Sequence, residues 1–336
     1  MISSTCIAWI PVFNFMRLLK EAPNDFDICL EGFADAIGDL LLTSSSNIVN
    51  VKAEISEPSK LVVYDFYRTN ENSGHPYVTW LKVTCSFEYD LESYNLRCGN
   101  SKFTEAELLY TFAPLELKSL ILDAQIISQI AYPGRFSFAK GSIWVLEEKR
   151  YPTDALSGLT TDTIFSDEIT WPEVEVFPMR DLVSWKPLLN LFLKGIPETP
   201  IERSISSLTH AIGSGGDELI FFAMQGLEAF YCRGHGDLRK QLSDKTKLFL
   251  GPWEDKNNVV GRLYDMRSKF VHGSFNLERW GNNLDIFNEK GFKERYSFYK
   301  SQLLAVRMLI STIHKCAKKD LTSVEFDYVM RTDARD

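Results

Sequence analysis

The sequence predicts an α+β chain of two domains, a β-rich domain followed by an all-helical one. Three observations lead there. At 336 residues the chain exceeds one ordinary domain and suits two. Its first half carries short alternating or β-branched runs, whereas its last third carries apolar residues at helical spacing. Between the two patterns stand Pro172, Pro178, Pro187, Pro197 and Pro200. A hydrophobic content of 45%, with 13% aromatics, is enough for real cores and excludes wholesale disorder.

In the first 170 residues, strands are expected at Ser4–Phe13, Asn47–Ile55, Lys60–Arg68, Tyr77–Tyr89 and Gly141–Glu148. The segment E-N-S-G-H-P between Arg68 and Tyr77 reads as a turn, and His75 within it as a solvated turn residue. One helix interrupts the strands, with Pro114 in its first turn and L-E-L-K-S-L-I-L-D-A-Q-I-I-S-Q-I following at helical spacing. No Gly-rich phosphate loop or paired-carboxylate motif occurs there. The domain boundary falls near residue 180, giving a β-rich domain over 1–180. A proline-rich connector over 181–200 follows, with a short helix read from D-L-V-S-W-K-P-L-L-N-L-F-L-K.

The helical domain spans 201–320, with a tail over 321–336. Ile201–Ile212 is its first helix. G-S-G-G-D-E opens the next, with Ser214 or Asp217 as N-cap and Glu218 in the first turn. This loop lacks the Lys and hydroxyl of a phosphate-binding loop, so capping is the better reading. The helix L-I-F-F-A-M-Q-G-L-E-A-F-Y runs to the R-G-H-G break, and His235 there reads as a loop residue. Asp237–Leu250 ends at Gly251-Pro252, and Asn257–His272 ends at Gly273, a C′ glycine. In the last helix, Lys293–Lys318, the residues Tyr296, Tyr299, Leu303, Val306, Ile310, Ile313 and Ala317 form a seam of ordinary bundle core.

Charge and cysteine usage narrow the function classes. The net charge of −8 argues against an indiscriminate nucleic-acid binder. Its distribution is uneven: residues from 200 onward hold 21 basic and 18 acidic side chains, the first 199 hold 16 and 27. A polyanion would therefore approach the C-terminal half. Cys6, Cys29, Cys85, Cys98, Cys232 and Cys316 are scattered, without a C-x-x-C or a zinc spacing, so buried free thiols in a reducing compartment are expected. No metal and no cofactor are expected. No apolar run approaches about 18 residues, so no membrane span is expected. The first residues lack the basic and apolar regions of a signal peptide, and a cytoplasmic location follows as the expectation.

The candidate site lies in N-N-V-V-G-R-L-Y-D-M-R-S-K-F-V-H-G. Val259, Leu263, Met266 and Phe270 form the expected buried stripe. Arg267 lies about 100° round from Met266, and His272 about 140° beyond Arg267, so both leave the stripe near the helix end. A titratable imidazole beside a permanent cation suits phosphodiester cleavage. The imidazole moves protons near neutral pH and the guanidinium holds phosphate oxygens as charge builds up. The same spacing also fits a structural pair, with His272 capping the helix and Arg267 bound to Glu228 or Asp265.

The stretch L-Y-D-M-R-S-K-F-V-H-G resembles the signature of the Apea-like branch of the HEPN superfamily, L-Y-x-x-R-S-x-x-x-H-G. G-L-E-A-F-Y resembles the branch's upstream helix, and K-Q-L-S-D-K-T-K-L-F-L-G its intervening helix. The resemblance covers roughly residues 200–320. It implies a HEPN-like helical bundle and a metal-independent endoribonuclease, often a homodimer with two motifs facing across a cleft. Carried over, His272 is the acid/base and Arg267 the phosphate clamp. Glu228 orients them and Ser268 supports them by hydrogen bonding. Attack by a ribose 2′-hydroxyl would leave a 2′,3′-cyclic phosphate, which selects RNA over DNA. Lys269 and Arg262 could add phosphate contacts, although exposed cations are commonly just solvated. The implied setting is a defence or toxin-like system, with the N-terminal domain as a sensor of unknown trigger. Two other readings compete: a non-catalytic module binding RNA or a partner protein, and a ligand-binding N-terminal domain that the helices merely dimerise.

Overall fold

The computed structural model describes residues 1–13, 25–69, 78–97, 102–146, 149–156, 158–159, 169–214, 218–234, 236–253, 259–274 and 289–326. An antiparallel sheet builds the N-terminal part and helices the C-terminal part, the α+β arrangement. The long strand β1 (Ile2–Phe13) runs centrally, flanked by β3 (Val78–Tyr89) over its whole length and by β5 (Ser142–Val145). The order is β2 (Ile48–Ile55), β3, β1, β5, β6 (Lys149–Pro152), with the two-residue β4 (Ser137–Phe138) also paired to β1. Period-2 alternation sets the inner face. Cys6, Ala8 and Ile10 are fully buried opposite Cys85, Val83 and Leu81.

Helices cover that face. α1 (Phe26–Ser44) packs on β2, and α4 (Ala113–Ala131) on β1 and β5. Pro114 is the second residue of α4, but the helical run starts earlier than the proline suggested, at Glu105 behind a Thr104 capping box, and passes through a π-turn at Leu108–Phe112 just before the proline. α1 lies where the sequence suggested no element. Phe26, Leu30, Phe33 and Ile37 repeat at helical spacing, but Asp25 supplies no side-chain cap to announce the start. α3 (Leu91–Arg97) was likewise unexpected; Asp90 opens it by accepting the backbone N–H groups of Glu92 and Ser93.

One strand expectation is corrected. Residues Lys60–Thr69 form a helix, α2, not a strand. Val62, Val63, Tyr64, Phe66 and Tyr67 have the composition of a strand. Yet Val62 and Phe66, one turn apart, are the two that become buried. They join Phe13, Trp80 and Ala139 in a small second core on the outer face of the sheet. Tertiary burial of one helical stripe thus overrides local propensity. The turn containing His75 lies outside the described residues, as do Glu148, Asp217 and His235.

The connector helix also differs. It is broken into α5 (Met179–Ser184) and α6 (Lys186–Lys194) at Trp185, whose ψ of 119° is extended, with Pro187 in the first turn of α6. Five longer helices follow: α7 (Pro200–Ser214), α8 (Glu218–Tyr231), α9 (Leu238–Leu250), α10 (Val259–Val271) and α11 (Glu289–Lys318). Ser214 does not cap α8: it ends α7, its hydroxyl donating to the carbonyl of His210. Asp237 does cap α9, accepting the N–H of Lys240.

α11 packs against α7, α8, α9 and α10. The expected seam fails at its first turns, where Tyr296 and Tyr299 are exposed and Phe298 is buried instead. From Gln302 to His314 every residue is buried, so the middle of α11 is enclosed all round rather than along one stripe. A single apolar cluster continues from the sheet through Tyr132, Phe177, Met179 and Trp185 into Ile201, Leu208 and the helices beyond. Among the described residues, no helix is long and apolar enough to cross a membrane.

Candidate functional site

The site is built where α8 and α10 meet. Close packing fixes α8 first. A Cβ on Gly226 would lie 2.8 Å from the Leu309 side chain of α11 and 3.1 Å from Ser207 of α7. Only glycine lets the three helices approach this closely, and Ser204 seals the contact by donating to the Gly226 carbonyl at 2.8 Å. Two residues on, Glu228 points toward α10.

Arg267 meets it there. Its Nη2 donates to Glu228 Oε2 at 3.1 Å, with side chains 25% and 17% exposed. Of the two carboxylates the sequence offered to Arg267, Glu228 is the partner. Asp265 is instead bound by Arg239 of α9, also at 3.1 Å, an exposed pair. The second oxygen of Glu228, Oε1, is buried without a hydrogen-bond partner among the described residues. Burial raises the Glu228 pKa, and the attraction of Arg267 only partly opposes the shift.

Two residues not singled out by the sequence reading belong to this cluster. Tyr264, one turn before Arg267, has its hydroxyl pushed up by burial first and by the Glu228 charge second. Cys232, one turn after Glu228, has its thiol pushed up to about 11 for the same two reasons, and donates to the Leu238 carbonyl. Both could have been found from spacing alone, since residues at i−3 and i+4 share a helix face with the residue chosen.

His272 stands apart from the ion pair. α10 ends in a Schellman motif: Ser274 N–H bonds the Lys269 carbonyl at 2.9 Å, and Gly273 N–H the Phe270 carbonyl at 3.3 Å. Gly273 has φ +68°, as that closure requires. The cap is therefore made by backbone and glycine. Among the described residues the His272 imidazole makes no hydrogen bond; the residue is exposed at the helix end. Ser268 is half-buried, and its carbonyl, not its hydroxyl, accepts the His272 N–H at 3.0 Å. Arg262 and Lys269, seven apart, are exposed on one side of α10. The buried stripe is shifted from expectation: Val260, Gly261 and Leu263 are buried, whereas Val259, Met266 and Phe270 are only partly so.

The other two described histidines lie elsewhere. His210 stacks on Phe222 at 5.2 Å. His314 is buried in α11, bonded to the Ile130 carbonyl. Among the described residues, no three His, Cys, Asp or Glu side chains come together as a metal-holding group. No protein-family model, curated protein or solved structure matches this chain.

Chemically, the arrangement offers one guanidinium held by a carboxylate and partly open to solvent, and, at the end of the same helix, one exposed imidazole without a hydrogen bond among the described residues. A fixed cation and a free proton carrier are the two tools needed to act on a phosphodiester.

Proposed function

We propose that the helical part is a HEPN-type bundle acting as an endoribonuclease through Arg267 and His272. The observation that carries this reading is the Glu228–Arg267 ion pair, joining α8 to α10, with the His272 ring exposed at the glycine-closed end of α10 and without a hydrogen bond among the described residues. A histidine serving only as a helix cap has no role where backbone already makes the cap.

In this reading Arg267 binds the non-bridging phosphate oxygens, and Glu228 limits its rotamers so that little order is lost on binding. The His272 imidazole takes the proton of a ribose 2′-hydroxyl as that oxygen attacks phosphorus. The bond from phosphorus to the 5′-oxygen breaks, and the imidazolium of a second copy protonates that oxygen as it leaves. The products are a 2′,3′-cyclic phosphate and a 5′-hydroxyl. A homodimer with facing motifs supplies both imidazoles, and the setting is a defence or toxin-like system in which the sheet domain senses the trigger. Arg262 and Lys269, exposed on α10, would add phosphate contacts in this reading.

The test is cleavage of purified tRNA and mRNA by the parent chain and by His272→Ala and Arg267→Ala, with end-group analysis. His272→Ala is expected to abolish cleavage while keeping the parent melting temperature. Equal cleavage by His272→Ala defeats the catalytic assignment. One observation favours a second reading, a non-catalytic module binding RNA or a partner protein: Arg267 is already engaged by Glu228. RNA binding without cleavage in the parent would select it.

A further inference from the structure

β2 is an edge of the sheet, paired with β3 on one side and with no other strand among the described residues. Its side chains reach solvent: Val49 is 49% exposed, Ile55 46%, and the Lys52 side chain 68%. An open edge is a row of N–H and C=O groups ready to pair with another strand, and folded chains either blunt it or pair it.

The register shows which groups point outward. The Ser56 N–H donates to the Trp80 carbonyl at 3.1 Å, continuing the register that sets Ile55 against Leu81. In an antiparallel ladder successive residues bond alternate neighbours. The even residues Asn50, Lys52, Glu54 and Ser56 therefore bond β3, while Val51, Ala53 and Ile55 aim N–H and C=O away from the sheet. The regular stretch is bounded by a bulge between Ile48 and Asn50 and by Pro58, which has no N–H to give. Ala53 stands at the middle of Asn50–Ser56.

Side chains divide in the same way. Val51, Ala53 and Ile55, set against Cys85, Val83 and Leu81, continue the apolar inner face, yet Val51 and Ala53 are only partly buried and Ile55 is exposed. Lys52 and Glu54 stand on the outer face, 2.5 Å apart, with Lys82 3.6 Å from Glu54.

Charge selects both the occupant and the register. A second copy related by a two-fold axis meets β2 antiparallel, and outward groups pair only when odd residues oppose odd ones. Setting Val51 against Ala53 of the second copy puts Lys52 opposite Lys52. Setting Ala53 against Ile55 puts Glu54 opposite Glu54. Like charges directly opposed are unfavourable in both. Setting Ala53 against itself puts Lys52 opposite Glu54 on both sides of the axis, and Val51 opposite Ile55 on the inner face. Registers displaced further shorten the overlap. An edge lysine deters strands at large, but a strand with the reversed order of charges matches it, and β2 run antiparallel is such a strand.

We propose that β2 pairs edge to edge with β2 of a second copy of this chain, with Ala53 on the two-fold axis, joining two sheets into one. Val51, Ala53 and Ile55 then exchange N–H···O bonds across the axis, and Val51 of the second copy covers Ile55. The edge is short for a permanent interface, so association follows concentration. The proposal is independent of the RNA-cleaving reading, in which copies face each other through α10.

Sedimentation of the full chain over a concentration series tests it, with Lys52→Glu and Glu54→Lys each alone and then mixed. Each substitution sets like charges across the axis in its own homodimer, whereas the mixture restores opposite pairs. The parent and the equimolar mixture are expected to sediment at twice the mass of either variant alone. Equal mass for the parent and both variants overturns the pairing; if that mass is the monomer's, the edge is left to an extended segment of another protein. Mass halved in both variants and not recovered on mixing overturns the register. Ala53→Pro removes an outward N–H and spares the ladder to β3, so it is expected to halve the mass while keeping the parent's circular dichroism. Parent mass in that variant overturns the proposal.

Discussion

Replacing His314 by Gln should convert a pH-dependent contribution to stability into a pH-independent one. The Ile130 carbonyl can only accept, so His314 Nε2 carries the proton, at 2.6 Å. Nδ1 is then a bare nitrogen, buried with no partner among the described residues. Burial lowers the imidazole pKa from 6.5 to about 4, against smaller raising effects from the Ile130 bond and Glu175. A histidine depressed on folding stabilises fully above its unfolded pKa and loses that stability as the pH falls toward the folded one. The parent should thus lose about 3 kcal/mol from this residue between pH 7 and pH 4. Asp123 acts in the opposite sense. Burial raises its pKa from 3.8 to about 6, so it penalises folding as the pH rises and relieves that penalty as the pH falls. With its partial exposure discounted, about 2 kcal/mol returns over the same range. The two nearly cancel in the parent. Urea unfolding of the parent, His314→Gln and Asp123→Asn from pH 7 to pH 4 separates them. His314→Gln should be the less stable protein at pH 7, having lost its ring contact with Phe177, and should gain on the parent by about 3 kcal/mol at pH 4. Asp123→Asn should instead fall behind with acid. A stability gap between His314→Gln and the parent that stays constant from pH 7 to pH 4 refutes the reasoning.

Three further outcomes follow from packing and charge. Gly226→Ala forces a methyl against Leu309 and Ser207 and should cost about 2 kcal/mol in chemical unfolding; an unchanged midpoint would mean the helices can part freely. Arg267→Met leaves a part-buried carboxylate uncompensated and should cost about 2 kcal/mol at pH 7, more than Glu228→Gln; because burial already raises the Glu228 pKa, the loss should shrink as the pH is lowered. Phe66→Ala, which empties the second core under α2, should cost about 3 kcal/mol by the same urea titration, and amide exchange should place the loss in α2 and the sheet face beneath it rather than in α7 to α11.

Much of the frame was legible in the residues. Alternation identified β1, β2 and β3 because a strand's two faces differ in solvation residue by residue. Glycine and proline punctuation found the ends of α9 and α10, where backbone conformation is a local property. α2 was missed because β-branched and aromatic residues favour strands only until a neighbouring surface offers one helical stripe a better burial, and that surface comes from Phe13 and Trp80 far along the chain. The exposed Tyr296 and Tyr299 mislead in the same way, since a repeat states which residues can share a face and not which face is covered.

The same division runs through the candidate site. The sequence by itself determined that Arg267 and Glu228 sit on helices with His272 at a helix end, that Gly273 ends the motif helix, and that charge favours the C-terminal half. Tertiary structure alone decided that Arg267 turns to Glu228 rather than Asp265, and that His272 is left out of the pair. It alone showed that the proline-rich segment lies along α11 under Arg307 and Ser311. The physical reason is range. Capping and periodicity are settled within a turn or two of backbone, whereas partner choice among charges depends on which surfaces meet and how much water they exclude.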